Sequence, residues 1–224
     1  MRNMHSKRWT LALTSSLIVA SCHVAWAADA AGMLANFARD TRSAQGTFTQ
    51  RLVDKDGRDM QAPAKGDFQF ARPGRFVWNI TAPYPQRIVS ASRTLWIYDK
   101  DFNQVTVRSL GQKSGADLNA TPAGVLFGNA SVESLFAVKN VAAPSEGDSA
   151  LKWAEAVPKK ESDNYARMLV GFTAEGELRQ MWLFDHFGQR TVLVFEGLRR
   201  NDVVNEASFT FTIPPGTDVL RAAP

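Results

Sequence analysis

Apolar residues recur at every second position in one short segment after another from residue 47 onward. In the segment KGDFQFAR, Phe68 and Phe70 share one face, and in RFVWNI so do Phe76, Trp78 and Ile80. A period of two places side chains on one side of a β-strand, whereas a helix requires a period near 3.6. Polar turns rich in Gly, Pro and Asp separate the segments. The chain is therefore predicted to form about ten antiparallel strands in a single domain.

Two other stretches have a helical pattern. Met33, Leu34, Phe37 and Ala38 recur at the spacing of one helical stripe before the first strand. Residues 122–136 are largely apolar, and Thr121 with Pro122 forms a Thr-Pro pair that is favourable at a helix start. A twisted sheet of ten strands tends to curl, and an apolar concave face has to be covered. These two helical segments are the predicted covers.

The N-terminus has the three parts of a secretory signal in order. Three basic residues precede an apolar stretch, Thr10–Ala20, which is too short for a stable membrane anchor. Ala25-Trp26-Ala27 then supplies a small-residue cleavage site. Residues 1–27 are predicted to be a signal peptide, and residues 28–224 a single exported domain.

A second cleavage site inside this leader leaves an alternative open. Val19-Ala20-Ser21-Cys22 is similar to a bacterial lipobox, in which the cysteine is lipidated and becomes the new N-terminus. Both cleavages export the chain, but only the second tethers it to a membrane. The A-x-A site, which follows a polar break, is the favoured prediction.

The mature chain has little of the chemistry that enzymes and metal sites need. Its 197 residues contain no cysteine and a single histidine, His186, in a predicted turn. Nucleophile elbows, phosphate-binding glycine loops and metal-ligand spacings are all absent from the sequence. Its net charge of +1, with no long basic run, does not indicate a nucleic-acid partner. We therefore predict a protein that is not an enzyme, without cofactor or metal.

Aromatic residues are abundant instead. After the leader the chain has 14 Phe, 4 Trp and 3 Tyr, and most of them are expected in an ordinary core. Any surplus on a concave face would favour an apolar ligand, because each buried methylene contributes about 0.8 kcal/mol. A carrier of acyl chains needs little more than such a cavity and a cover that can open.

Several motifs closely resemble those of the outer-membrane lipoprotein carrier family, LolA. They are GTFTQ at 46–50, FARPGRFVW at 70–78, PYPQRIVSASRTLWIYDKDFNQVTV at 83–107 and FTFTIPPGTDV at 209–219. The resemblance implies an unclosed, mainly β barrel of about eleven antiparallel strands with an α-helical lid. It further implies a periplasmic carrier that receives lipoproteins from an inner-membrane ABC transporter complex and passes them to an outer-membrane acceptor.

The resemblance also implies roles for particular residues. Arg72, in the Arg-Pro motif, would latch the empty carrier shut by donating hydrogen bonds to lid carbonyls. The lid would include Pro122, Val125, Leu126 and Phe127. The predicted wall of the lipid cavity comprises Phe48, Phe68, Phe70, Phe76, Trp78, Ile80 and Trp96. The carrier is expected to be a monomer. Ala91-Ser92 stands where the family usually has Asp-Gly, so this turn departs from the family pattern.

Three other functions remain to be weighed against the carrier. A lipid-anchored acceptor of the same fold would have an acylated Cys22. A lipid-sensing barrel domain would bind lipid or peptide as a signal rather than carry intact lipoprotein. A lipid-modifying hydrolase would need a side-chain nucleophile with a base, which His186 alone does not provide.

Overall fold

The computed structural model describes residues 29–91, 93–110, 132–160 and 165–221. The predicted leader and the four predicted lid residues, Pro122, Val125, Leu126 and Phe127, lie outside these residues. Helical elements of the described part are α1 (Ala30–Asp40), α2 (Val132–Leu135) and a 3-10 helix (Glu206–Phe209). The strands are β1 (Ser43–Val53), β2 (Ala64–Ala71), β3 (Arg75–Ala82), β4 (Gln86–Ala91), β5 (Thr94–Asp99), β6 (Gln104–Ser109), β7 (Phe136–Val141), β8 (Lys152–Pro158), β9 (Arg167–Phe172), β10 (Leu178–Phe184), β11 (Arg190–Arg200) and β12 (Asp218–Arg221).

All twelve strands belong to one sheet, in the order β12-β6-β5-β4-β3-β2-β1-β11-β10-β9-β8-β7. The long first strand pairs with β2 on one side and with β11 on the other, so β1 and β11 join two wings of the sheet. These are the β1–β5 wing, which β6 and β12 extend, and a second wing that consists of β7–β10. Strands β12 and β7 are the two edges of the sheet, and the sheet does not close into a complete barrel. The predicted mainly β, unclosed architecture is confirmed.

Helix α1 lies against one wing of this sheet. Its first turn is capped by Asp29, whose Oδ1 accepts a hydrogen bond from the Gly32 backbone N–H at 3.0 Å. The apolar stripe buries Leu34 and Phe37, and the Phe37 ring lies 6.4 Å from that of Phe172 on β9. The N-terminal helix is therefore held by apolar packing, as its sequence period predicts.

The alternation along the strands produces two apolar faces. We call the face that carries α1 and the largest buried cluster the inner face, and the opposite one the outer face. Phe68 and Phe70 of β2 lie on the inner face, whereas the neighbouring Ala71 joins a smaller outer cluster. A second outer cluster, centred on Trp153 and Trp182, lies on the other wing. Both sides of this sheet are thus partly covered.

The C-terminal region differs from its prediction. The alternation in ASFTFTI, residues 207–213, predicts a further strand, but the segment does not form one. It begins within the 3-10 helix, which Asn205 caps by accepting a hydrogen bond from the Ala207 N–H at 3.1 Å. Its Phe209 is buried under β2–β4. The predicted strand was wrong because alternation reports burial of every second residue, which an extended segment lying across a sheet also achieves.

Three strands, β4, β7 and β12, were not predicted from the sequence. The final strand β12 follows the Pro-Pro-Gly turn and pairs in parallel with β6, from Asp218 opposite Gln104 to Arg221 opposite Val107. Strand β7 begins at Phe136, which the sequence pattern assigned to a helix. Strands β7 and β12 are short edge strands, for which periodicity offers few residues to count. The central strand β4 shows no alternation, because its neighbours Ile88 and Val89 are buried on opposite faces.

Candidate functional site

Aromatic rings dominate the inner face of the β1–β5 wing. The Phe48 ring stacks on Trp78 with centroids 3.9 Å apart, and Phe68 lies 5.8 Å from the same indole. Phe68 also meets Phe195 edge to face at 5.5 Å, which links this wing to β11. All four side chains are buried. In this conformation these contacting rings fill the part of the predicted hollow that they line.

Six of the seven predicted wall residues come together here. Phe48, Phe68, Phe70, Phe76 and Trp78 are buried members of one cluster, and the half-buried Ile80 packs against it. The seventh, Trp96, is not in this cluster.

Trp96 lies on the outer face of β5. Its strand neighbour Leu95 is a buried member of the inner cluster, so alternation turns Trp96 the other way. There its ring lies 6.2 Å from Phe211, in the segment that follows the 3-10 helix. In TLWIYD the sequence pattern predicts one face with Leu95 and Ile97 and another with Trp96 and Tyr98, but it does not say which face points inward.

The β2–β3 hairpin holds Arg72 at the end of this aromatic face. The backbone N–H of Arg72 donates to the Arg42 carbonyl at 2.8 Å, which ties the hairpin to the start of β1. On the far side, the buried Ser90 hydroxyl donates to the Gly74 carbonyl at 2.9 Å. Gly74 has φ +64, a left-handed conformation that glycine adopts readily. The turn is thus fixed from both sides.

The Arg72 side chain continues the inner face. It follows Phe68 and Phe70 at two-residue steps, and its guanidinium carbon lies 5.8 Å from the Phe70 ring centroid. Burial lowers the pKa of Arg72, because the protein surroundings solvate the cation less well than water does. A guanidinium nevertheless stays protonated in proteins. The hairpin therefore keeps a permanent charge beside the aromatic cluster.

Arg75, on the other side of the turn, belongs to the outer face. It forms an ion pair with Glu206, and its guanidinium carbon lies 5.1 Å from the Phe209 ring centroid. The sequence predicts that Arg75, beyond Gly74, is the solvated arginine of the motif. This prediction was wrong, since Arg75 clamps the C-terminal segment onto the sheet. The two arginines of the motif are thus directed to opposite faces.

The sequence analysis missed the contribution of the second wing. Its inner face adds Met168, Val170 and Phe172 from β9, and Met181 from β10 to the same cluster. These residues belong to segments identified as strands, but their inward face could not be chosen from the pattern alone. The inner face is therefore apolar over both wings, wider than the predicted wall.

Tyr165 is a further missed member of the cluster. Its ring stacks on Phe136 with centroids 6.3 Å apart, and burial raises the pKa of Tyr165 to about 12. The phenol is therefore neutral at physiological pH and adds apolar surface next to α2.

Other kinds of site find no support in the described ranges. They contain no group of three or more His, Cys, Asp or Glu side chains arranged to hold a metal ion. His186 lies in the exposed β10–β11 turn, as predicted. Among the same residues no helix is long and apolar enough to cross a membrane. A cavity of about 330 Å³ lies elsewhere, lined by residues that include Glu155, Arg167 and Trp182.

The comparison with family models gives a match over residues 39–212, to the outer membrane lipoprotein carrier protein LolA. The chain belongs to the LolA family. The matched range includes both the aromatic inner face of β1–β5 and the Arg72 hairpin. The resemblance found in the sequence motifs is confirmed.

Relatives of similar length support this assignment to the LolA family. The outer-membrane lipoprotein carrier protein of Cupriavidus necator is 39% identical over 223 residues, covering 99% of this chain and 100% of the relative. That of Nitrosospira multiformis is 38% identical over 189 residues, covering 84% and 87%. A solved structure of an uncharacterized conserved protein from Thermus thermophilus has the same fold, with a TM-score of 0.53 at 12% identity over 86% of this chain and 99% of that one.

Proposed function

We propose that this LolA-family chain is a periplasmic carrier that shelters the acyl chains of lipoproteins from water. It receives them from an inner-membrane ABC transporter complex and delivers them to an outer-membrane acceptor. Residues 1–27 serve as the export signal, and residues 28–224 form one monomeric carrier domain. The single observation that supports this best is an inner face that is apolar over both wings and rich in aromatic rings on the β1–β5 wing, with a charged hairpin at its end.

The free energies of ring contacts and of methylene burial favour acyl chains as ligands of the inner face. Separating one stacked pair such as Phe48 and Trp78 costs about 0.5–1.5 kcal/mol beyond the buried area itself. Each methylene removed from water contributes about 0.8 kcal/mol, so a dozen of them supply roughly 10 kcal/mol gross. Entering chains can therefore displace the aromatic contacts and still bind.

Arg72 is proposed to be the latch of the empty carrier. Its guanidinium has five donors, and each net hydrogen bond of a charged group contributes about 1.5–3 kcal/mol. Bonds of that size to carbonyls of the lid, which contains Pro122, Val125, Leu126 and Phe127, would hold it closed yet yield to acyl chains. The fixed hairpin supports this role, because Arg72 is presented on the inner side while Arg75 is held on the outer side.

Mass spectrometry of the chain purified from the periplasm tests the function. We expect a mature N-terminus near Ala28 and a bound, intact, acylated lipoprotein. A lipidated Cys22 would instead identify the tethered acceptor, and a chain carrying free lipid or peptide without lipoprotein would identify a sensor. A chain that never carries lipoprotein, even when the transporter is active, would contradict the proposal.

A further inference from the structure

Four neighbouring loops at one end of the sheet each carry an exposed apolar side chain. They are Met60 in the β1–β2 loop, Tyr84 in β3–β4, Phe102 in β5–β6 and Phe187 in β10–β11, with exposed fractions of 50%, 69%, 80% and 82%. We call these four side chains the apolar rim. An isolated exposed apolar residue is ordinary, but one on each of four successive hairpins is a pattern that indicates an interaction surface.

The strand register places the four loops side by side. The residue pairs that flank them are Val53 with Arg190, Lys65 with Ala82, and Gln86 with Asp99. Lys55 of the β1–β2 loop lies directly against Gly188 of the β10–β11 loop. Neighbouring strands are about 4.8 Å apart, so successive hairpins are roughly 10 Å apart and the rim extends over roughly 30 Å. The Arg72 hairpin lies at the opposite strand ends.

Three of the loops are held in shape by an aspartate at their start. Asp185 Oδ1 accepts from the N–H groups of Phe187 and Gln189, both at 2.8 Å. Asp99 Oδ1 likewise accepts from the Phe102 N–H at 3.2 Å.

The same arrangement occurs at the start of the β1–β2 loop, where Asp54 Oδ1 accepts from the Arg58 N–H at 2.9 Å. In the remaining loop, Tyr84 stands between Pro83 and Pro85, whose rings fix φ. All four apolar side chains are therefore presented from backbones that are ordered before any partner arrives.

The rim's charge distinguishes between a lipid surface and a protein surface. Residues 54–63, 83–85, 100–103 and 185–189 contain five aspartates but only three lysines or arginines. An anionic phospholipid surface would repel this excess, whereas a basic protein surface would attract it. Aromatic residues and Met are also the types enriched in protein interfaces, and side chains presented from pre-ordered backbones suit pockets at fixed spacing.

We propose that the apolar rim docks a membrane-held protein whose surface has apolar pockets surrounded by basic residues. The partner's location in a membrane rests on the proposed carrier function, but the rim itself does not involve the acyl-binding face. Docking by this end leaves the Arg72 end of the inner face free for cargo exchange.

Co-sedimentation with unsealed cell-envelope fragments of the source bacterium tests the proposal, because such fragments expose both faces of both membranes. The double variant Phe102→Ser/Phe187→Ser should bind about tenfold more weakly than the parent, as expected for the loss of two interface anchors. Both side chains are largely in water, so the fold should survive. Val203→Ser is the matched control, since Val203 is 94% exposed but follows β11 at the other end, and it should bind like the parent.

Two further arms identify the occupant. Protease-treated envelopes and liposomes made from the extracted envelope lipids should both fail to bind the parent chain, and high salt should weaken its binding to intact envelopes. Equal binding of the double variant and the parent, equal binding to liposomes and envelopes, or no binding to envelopes would each overturn the proposal. Lipoprotein loading of the same variants is measured in parallel: unchanged loading with lost docking separates the rim from the carrier function.

Discussion

The inner and outer faces of the β1–β5 wing are built from the same strands but are covered in different ways. On the inner face, large rings such as Phe48 and Trp78 contact one another across strands. The outer face has small aliphatic residues such as Val77 and Val89, and there Phe209 and Phe211 of the C-terminal segment cover the sheet, where Phe211 contacts Trp96. A face covered by a segment of its own chain is ordinary core, whereas a face on which the rings of several strands contact one another beside a charged hairpin is suited to exchange. The difference teaches that what a face contacts, rather than its apolarity, separates the candidate site from the core.

Removing one tryptophan from each face should give the largest difference between them. Trp78→Ala should lower the free energy of unfolding by about 3–5 kcal/mol, because it leaves a large void among packed rings. Trp96→Ala should cost less than half as much, since Trp96 is only partly buried. Urea unfolding followed by circular dichroism measures both. Equal losses would show that the two faces are packed alike and would remove this part of the comparison.

Replacing each arginine of the hairpin in turn should show that the two faces differ in function. Arg72→Leu should preserve the fold and impair delivery to the acceptor about tenfold, as expected for loss of a charged hydrogen-bond donor. Arg75→Leu is the matched control, because Arg75 pairs with Glu206 on the outer face. Transfer of labelled lipoprotein from purified carrier to acceptor is the readout. Normal transfer by Arg72→Leu, or an equal defect in both variants, would count against the latch.

Loosening the hairpin without touching its arginines should have the smallest effect. Ser90→Ala removes the hydroxyl that donates to the Gly74 carbonyl, at a cost of about 1 kcal/mol in unfolding free energy. Because the anchor sets the position of the hairpin, we expect a small delivery defect in the same direction as that of Arg72→Leu. A stability loss with fully normal delivery would show that the hairpin need not be fixed for exchange.

The sequence predicted those parts of the fold that depend on local pattern. Phe68 and Phe70 are two positions apart in a strand with clear turns on both sides, so both the strand and their shared face were predicted. The inward direction of Leu95 rather than Trp96 was not, because a strand pattern is symmetric between faces until the covering elements are known. Residues 207–213 show the reverse problem, since burial of alternate residues also suits an extended segment packed across strands. The parallel pairing of β12 with β6 depends on a long-range contact that no local pattern contains.

The sequence predicted those parts of the candidate site that lie in specific motifs. The Arg72 hairpin and the rings around Phe76 lie in the most specific motif, and six of seven predicted wall residues come together. The second wing's contribution, with Phe172 and Met181, carried no motif and required the topology. The role of the lid residues stays a prediction, because Pro122, Val125, Leu126 and Phe127 lie outside the described residues.

Photo-crosslinking from the two faces tests the central claim most directly. A photoreactive phenylalanine analogue is placed either at Phe76, in the inner cluster, or at Trp96, on the outer face, and the chain is loaded with lipoprotein whose acyl chains are labelled. Crosslinks to the acyl chains are expected from position 76 and only at background level from position 96. Labelling from position 96 that matches or exceeds labelling from position 76 would contradict the assignment of the inner face as the acyl-binding surface.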